Sequence, residues 1–236
     1  MINKRKNPVE YFRFLADMGE NELPVPGAKS GERGDVVAEE EKLTAEDKAF
    51  LLRELEEEAK KCKKCGLYKG RRKLVFGDGS PDAEILFIGE APGAEEDRQG
   101  IPFVGRAGKL LDKILEVVGL KRSEVYIANV LKCRPPENRD PTPQEEMACL
   151  PFLFRQIEII KPRIICCLGR ISARALLHTK RPMTELRGKL FSFRGIPVVV
   201  TYHPAALLRN ERLKKPTWDD FQFLLRELDR LRKENG

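Results

Sequence analysis

Several features are scarce in this sequence. No stretch of the 236 residues approaches the roughly 18 apolar residues of a membrane span, which leaves no candidate transmembrane helix. The start, Met1-Ile2-Asn3-Lys4-Arg5-Lys6, is basic but runs into mixed polar sequence without a signal-peptide apolar core. The expected compartment is therefore the cytoplasm, with no membrane partner. No internal repeat is visible, so a solenoid or propeller is not expected. Histidine is rare: only His178 and His203 are present, so imidazole chemistry rests on those two positions. Six cysteines in a reducing compartment argue for metal or cluster binding, or for burial, over disulfides.

What is abundant is charge, and its distribution is uneven. Residues 1–44 hold seven Lys/Arg against nine Asp/Glu, whereas residues 45–236 hold 37 against 28, a net of +9. A basic body beside a mildly acidic extension suggests a polyanionic partner, the alternative being an ordinary solvated basic surface. Residues 1–44 read as a flexible N-terminal extension. Glu22 to Glu41 is rich in Pro, Gly and acid and has little to bury. Ahead of it, Tyr11-Phe12 and Phe14-Leu15 form an aromatic patch that suits a docked helix or a partner-binding peptide. The globular domain is expected over residues 45–236, long enough for one substantial core.

Within that domain Thr44 is a candidate N-cap, followed by a stripe of Leu51, Leu52, Leu55 and Ala59 that leads to Cys62. Four short apolar runs follow, Glu84–Gly89, Val125–Val130, Arg163–Leu168 and Pro197–Tyr202, as expected of strands covered on both faces. Helical segments alternate with them. Ala107–Val118 is amphipathic and stops at Gly119. Thr142-Pro143-Gln144-Glu145 combines an N-cap, Pro at the first helical position and a capping-box Glu, starting a helix to Ile160 with a kink or break at Pro151. Ser172–His178 is short and Thr217–Lys233 long. Alternation of strand and helix predicts a three-layer α/β/α domain around a central four-stranded parallel sheet.

The strand ends carry the chemistry. Strand one delivers Gly89-Glu90-Ala91-Pro92-Gly93, strand two Asn129 and then Cys133, strand three Gly169-Arg170, and strand four Tyr202-His203-Pro204. All lie on the carboxyl edge of the sheet, where Glu90, Asn129 and His203 can converge. Asn129 could merely tie a turn, but an amide at the end of a buried strand must find partners, and a ligand can supply them. His178 ends a helix and reads as structural. A second group comprises Cys62 and Cys65 in a CxxC, Cys133 after strand two and Cys149 two turns into the capped helix. Thiolates suit zinc or an iron–sulfur cluster. The fifteen residues between Cys133 and Cys149 are no second CxxC knuckle, which favours a cluster. Cys166 and Cys167 are strand neighbours that face opposite sides, so both are assigned to the core.

The segments from Gly89-Glu90-Ala91-Pro92-Gly93 to Asp97, Pro102-Phe103-Val104-Gly105, Asn129 to Pro136 and His203-Pro204-Ala205-Ala206-Leu207-Leu208-Arg209 resemble the family 4 uracil-DNA glycosylases. The likeness covers about residues 60–231 and includes the four cysteines. It implies a uracil-DNA glycosylase fold and removal of uracil from DNA by extrusion of the nucleotide. It also implies a [4Fe–4S] cluster on Cys62, Cys65, Cys133 and Cys149. By similarity, Gly89 and Ala91 line the base pocket, Phe103 stacks on the base, and the Asn129 amide pairs with its edge. Glu96 stands near the base C5, and His203 hydrogen-bonds the uracil O2 as the base departs. Leu207 and Leu208 resemble a wedge for the minor groove, with Arg209 on a phosphate.

Better-known uracil glycosylases carry an Asp where this chain has Ala91. Either Glu90 helps to activate the water, or the reaction follows a dissociative path. The expected protein is a monomer acting on uracil-containing DNA at a prokaryotic nucleoid. A replication sliding clamp is a candidate partner, although the extension lacks a clear clamp-binding pattern. The competing reading is a non-catalytic iron–sulfur nucleic-acid-binding module of the same fold.

Overall fold

The structure is a computed structural model that describes residues 43–234. The expected extension over residues 1–44, with its linker and aromatic patch, lies outside the described residues except for Leu43 and Thr44. Helix α1 (Ala45–Lys60) starts directly after Thr44 and buries Leu52, Leu55 and Ala59, while Leu51 stays exposed. The chain then passes Cys62 and Cys65, a 3-10 turn at Gly66–Lys69 and the two-residue strand β1 (Asp78–Gly79). Next come β2 (Ile85–Gly89), α2 (Ala94–Gln99), α3 (Arg106–Val117) and β3 (Tyr126–Asn129). They are followed by α4 (Pro143–Ile160), β4 (Ile164–Leu168), α5 (Arg170–Leu177) and α6 (Met183–Leu186). The last elements are β5 (Leu190–Phe193), β6 (Ile196–Thr201), α7 (Pro204–Arg209) and α8 (Lys214–Glu234).

The sheet has six strands in the order β1-β3-β2-β4-β6-β5. Its central four, β3-β2-β4-β6, are parallel and are the four expected from the apolar runs. The edge strands β1 and β5 pair antiparallel, and the sequence reading missed both. β1 is too short to show a period, and β5 is partly exposed, with a polar Ser192. Chain leaving β2 goes to β3 on one side, and chain leaving β4 goes to β6 on the other. Such divergence opens a crevice at the carboxyl edge.

Side chains of alternate strand residues feed two layers. On one face Phe87, Ile127, Cys166 and Val199 pack with Leu111 and Leu115 of α3 and Phe221, Leu224 and Leu228 of α8. The Phe87 and Phe221 rings stack at 5.9 Å. On the other face Tyr126 meets α4, where Gln156 Nε2 donates to its hydroxyl at 3.3 Å. The capping box at Thr142 and Glu145 forms as expected. Of the expected kink or break at Pro151, the break is absent: α4 runs as one helix through it. Its neighbours Leu150, Phe152, Leu153 and Phe154 are all buried, and that burial holds the turn despite the missing N–H.

Candidate active site and cysteine cavity

At the carboxyl edge lies a cavity of about 420 Å³. It brings together the loop Glu90–Gly93 after β2, Asn129 at the end of β3, and His203 at the start of α7, with Glu96 and Phe103 between them. Arg139, Asp140 and Arg209 also line it. Close backbone approach makes this convergence possible. A Cβ on Gly89 would lie 2.4 Å from Asn129 Oδ1 and 2.6 Å from the Phe103 ring, so only glycine lets both side chains reach the strand end. Gly108 in α3 plays the same part behind Phe103, whose carbonyl oxygen would sit 1.9 Å from an added Cβ. Phe103 itself has φ of 51°, a conformation that needs support. Arg122 supplies it by donating to the carbonyls of Pro102 at 2.6 Å and Phe103 at 3.2 Å while pairing with Asp112.

The polar groups of the cavity are in distinct states. Glu96 accepts backbone N–H bonds from Gly93, Val104 and Gly105 at 3.1, 3.0 and 2.8 Å, so it fixes both loops that bound the cavity. Asp140 pairs with Arg170. Among the described residues the Glu90 carboxylate has no hydrogen-bond or ion-pair partner. Burial, and then the neighbouring Asp140, push its carboxyl above the ordinary value, opposed by Arg170. His203 Nδ1 accepts from the backbone N–H of Ala205 at 3.1 Å, which places the proton of the neutral ring on Nε2. Burial, reinforced by the Arg209 charge, lowers its pKa to about 4. The ring is therefore neutral at physiological pH and is a donor through Nε2. Its centroid lies 5.4 Å from that of Phe103. Asn129 is buried, and its Oδ1 is the one buried side-chain oxygen or nitrogen without a partner among the described residues.

Residues 76–227, which include every one of these groups, match the family model described as the uracil DNA glycosylase superfamily. The chain belongs to this superfamily. It is similar to the type-4 uracil-DNA glycosylase of Sulfurisphaera tokodaii, 48% identical over 186 residues covering 75% of this chain and 84% of the relative. The type-4 enzyme of Archaeoglobus fulgidus is 44% identical over 179 residues (72% and 90%), and that of Thermotoga maritima 47% over 162 (68% and 84%). A type-5 uracil-DNA glycosylase of Pyrobaculum aerophilum is 32% identical over 157 residues (59% and 68%).

This member of the superfamily has a second, smaller concavity of about 20 Å³, lined by Cys62, Cys65, Cys133 and Cys149. The Lys132 backbone N–H lies 3.2 Å from Cys149 Sγ and Arg71 Nη1 lies 3.4 Å from Cys133 Sγ, so donors already face two of the sulfurs. Burial raises the Cys149 thiol to about 12. Among the described residues no group of three His, Cys, Asp or Glu side chains closes on a single metal ion. Cys166 and Cys167 are buried strand residues, as expected.

The two expected DNA-contacting leucines separate. Leu207 is 2% exposed and belongs to the packing under α7, which corrects its assignment to a wedge, whereas Leu208 is 44% exposed. A six-residue helix presents only one of two adjacent side chains outward. Sequence reading also missed Lys132, which is 1% exposed. Its Nζ donates to Asn129 O at 2.9 Å and to Gln156 Oε1 at 2.5 Å, and Gln156 in turn donates to Phe76 O. This buried network links Asn129 of the larger cavity to Lys132, which lines the cysteine cavity. A lysine three residues past a strand looks like surface in sequence, so nothing flagged it. Arg122 and Gly108 likewise act through backbone contacts that leave no local pattern.

Proposed function

We propose that this protein is a monofunctional uracil-DNA glycosylase that takes a flipped deoxyuridine into the cavity and hydrolyses its C1′–N1 bond. The observation that carries this reading is the unpartnered Asn129 Oδ1 at the cavity wall, opposite a neutral His203 with its N–H on Nε2. Uracil presents an N3–H to that oxygen and an O4 to the amide nitrogen, so both ends of Asn129 are satisfied. Cytosine presents a lone pair at N3 and an amino group at C4, which oppose both ends. Phe103 supplies the stacking face, worth roughly 1–3 kcal/mol per base. Glu96, pinned by three N–H bonds, forms a rigid wall against a C5 methyl group.

Negative charge develops on the uracil as the bond breaks. The His203 Nε2–H donates to O2, a kind of contact worth about 10²–10³ in rate. A neutral ring suits this role because it keeps its donor without needing acid pH. Water must add to C1′ as the electron pair of the C1′–N1 bond leaves with uracil. Glu90 is the pocket carboxylate not committed to other groups, and it orients that water and takes its proton. The exposed Leu208 fills the gap left by the flipped base, and Arg209, which lines the cavity, holds a phosphate of the DNA backbone.

Cys62, Cys65, Cys133 and Cys149 would hold a [4Fe–4S] cluster. They surround one cavity without converging as a single-ion site, and donors face two sulfurs, which fits thiolates spread around a polynuclear group. When bound, the group supplies a cross-link between the end of α1, the exit of β3 and α4.

The test is a base-release assay on oligonucleotides with uracil opposite G, opposite A and unpaired. Free uracil and an abasic product are expected, with no release of cytosine or thymine. Tight binding without release would replace this reading with a non-catalytic nucleic-acid module.

A further inference from the structure

The sequence from Lys60 to Lys73 contains eight Lys/Arg and no Asp or Glu. Its charge of +8 exceeds the +7 of the entire chain, so the remainder is close to neutral. We infer that this segment is a second DNA-backbone contact surface, centred on Arg72 and Lys73, that holds phosphates beside the base pocket. The choice of DNA as partner rests on the glycosylase reading.

Several of the eight cations are used within the protein. Lys60 pairs with Glu56 and Glu57, Lys64 lies over the Phe152 ring, and Arg71 is spent on Cys133 Sγ and the Lys60 carbonyl. Arg72 and Lys73 are exposed, and neither side chain has an ion-pair or hydrogen-bond partner among the described residues. Their backbone is nevertheless fixed. Asp97 of α2, only 3% exposed, accepts the Arg72 N–H on Oδ1 at 3.0 Å, and its carbonyl accepts the Lys73 N–H at 3.1 Å. Two free cations on a pinned loop suit phosphate oxygens, because little order has to be imposed on binding.

The same short helix places this loop relative to the site. Glu96 of α2 secures the base pocket, and the next residue, Asp97, secures the basic loop. At its far end, Gln99 and Gly100 join Lys60, Arg72 and Lys73 around a groove of about 410 Å³, which Glu56 also lines while paired with Lys60. A six-residue helix is about 9 Å long, so the groove lies within a few nucleotides of a base held in the pocket.

The test uses full-length protein and a uracil-free duplex, so that it does not depend on excision. Affinity is measured against salt concentration for wild type, Arg72→Ala/Lys73→Ala and Arg72→Glu/Lys73→Glu, with melting temperature as the folding check. The control is Lys233→Ala. That residue is exposed next to Arg232, which pairs with Glu84 at the opposite, amino-terminal edge of the sheet. Loss of two phosphate contacts should reduce the slope of log affinity on log salt by about 2, with greater weakening on charge reversal and no change in the control. An unchanged slope in folded double variants would overturn the proposal, as would no binding of wild type at low salt. The base-release assay answers separately for the glycosylase reading: wild type could fail it and still show the slope.

Discussion

The base pocket encloses about 420 Å³ and is lined by ionisable and amide groups, whereas the cysteine cavity encloses about 20 Å³ and is lined by four thiols. Both draw on β3 and the chain just after it: Asn129 faces one and Cys133 the other. In the pocket, groups that need partners are left without them, namely Asn129 Oδ1, the Glu90 carboxylate and the His203 Nε2–H. In the cysteine cavity, donors already point at sulfur. Under the proposed function, the pocket keeps its polar groups unspent for a ligand that comes and goes, and the cysteine cavity turns its donors toward a resident group. Lys132 links the two: it lines the cysteine cavity and is satisfied by Asn129 O and Gln156.

Variants can break this contrast. The largest effect is expected at the pocket: His203→Ala should lower single-turnover uracil release by about 10²–10³ while DNA affinity holds. An unchanged rate would remove His203 from the chemistry. Cys149→Ala should act on the other side of the comparison. Wild type should be brown and contain iron, and the variant should lose its colour and much of its thermal stability; colourless wild type with one zinc per chain would refute the cluster. Gly108→Ala sharpens the pocket side alone. Its methyl group meets the Phe103 carbonyl, so it should lower melting temperature by the equivalent of about 1–3 kcal/mol and weaken excision, with the iron content retained.

A stability effect of similar size, with the smallest expected effect on release, is expected in the shared element. Lys132→Met leaves Asn129 O and Gln156 Oε1 without their donor, at a cost of about 1–3 kcal/mol by denaturant unfolding. Because Lys132 Nζ donates to the carbonyl of Asn129, uracil release should fall with it. Loss of stability without loss of release would detach Lys132 from the pocket.

Much of this arrangement is legible in the sequence because strand ends in a parallel sheet share an edge. Apolar runs and turn residues place Glu90, Asn129 and His203 together before any coordinates are known. The capping box at Thr142 is also a local signal. The remainder depends on approach distances and on which face a side chain takes. Gly108 reads as a weak helix residue, yet its missing Cβ is what admits Phe103. Leu207 and Leu208 are equal in sequence, and only packing separates them. Edge strands β1 and β5 form because the neighbouring strands offer free hydrogen-bonding edges, which no residue of theirs announces.

His203 carries the central claim that a neutral imidazole donates to the departing base, and its protonation can be read directly. The chain has only two histidines, so nitrogen NMR of the ring during a pH titration needs only a His178 variant for assignment. Burial in the folded state lowers the His203 pKa to about 4 from the ordinary 6.5. As pH falls from 6.5 toward 4, the unfolded chain therefore takes up a proton that the native chain refuses, and His203 destabilises the fold across that window. The expected result is a ring protonated on Nε2, neutral down to pH values near 4. A ring that titrates near 6.5, or carries its neutral proton on Nδ1, would contradict the account.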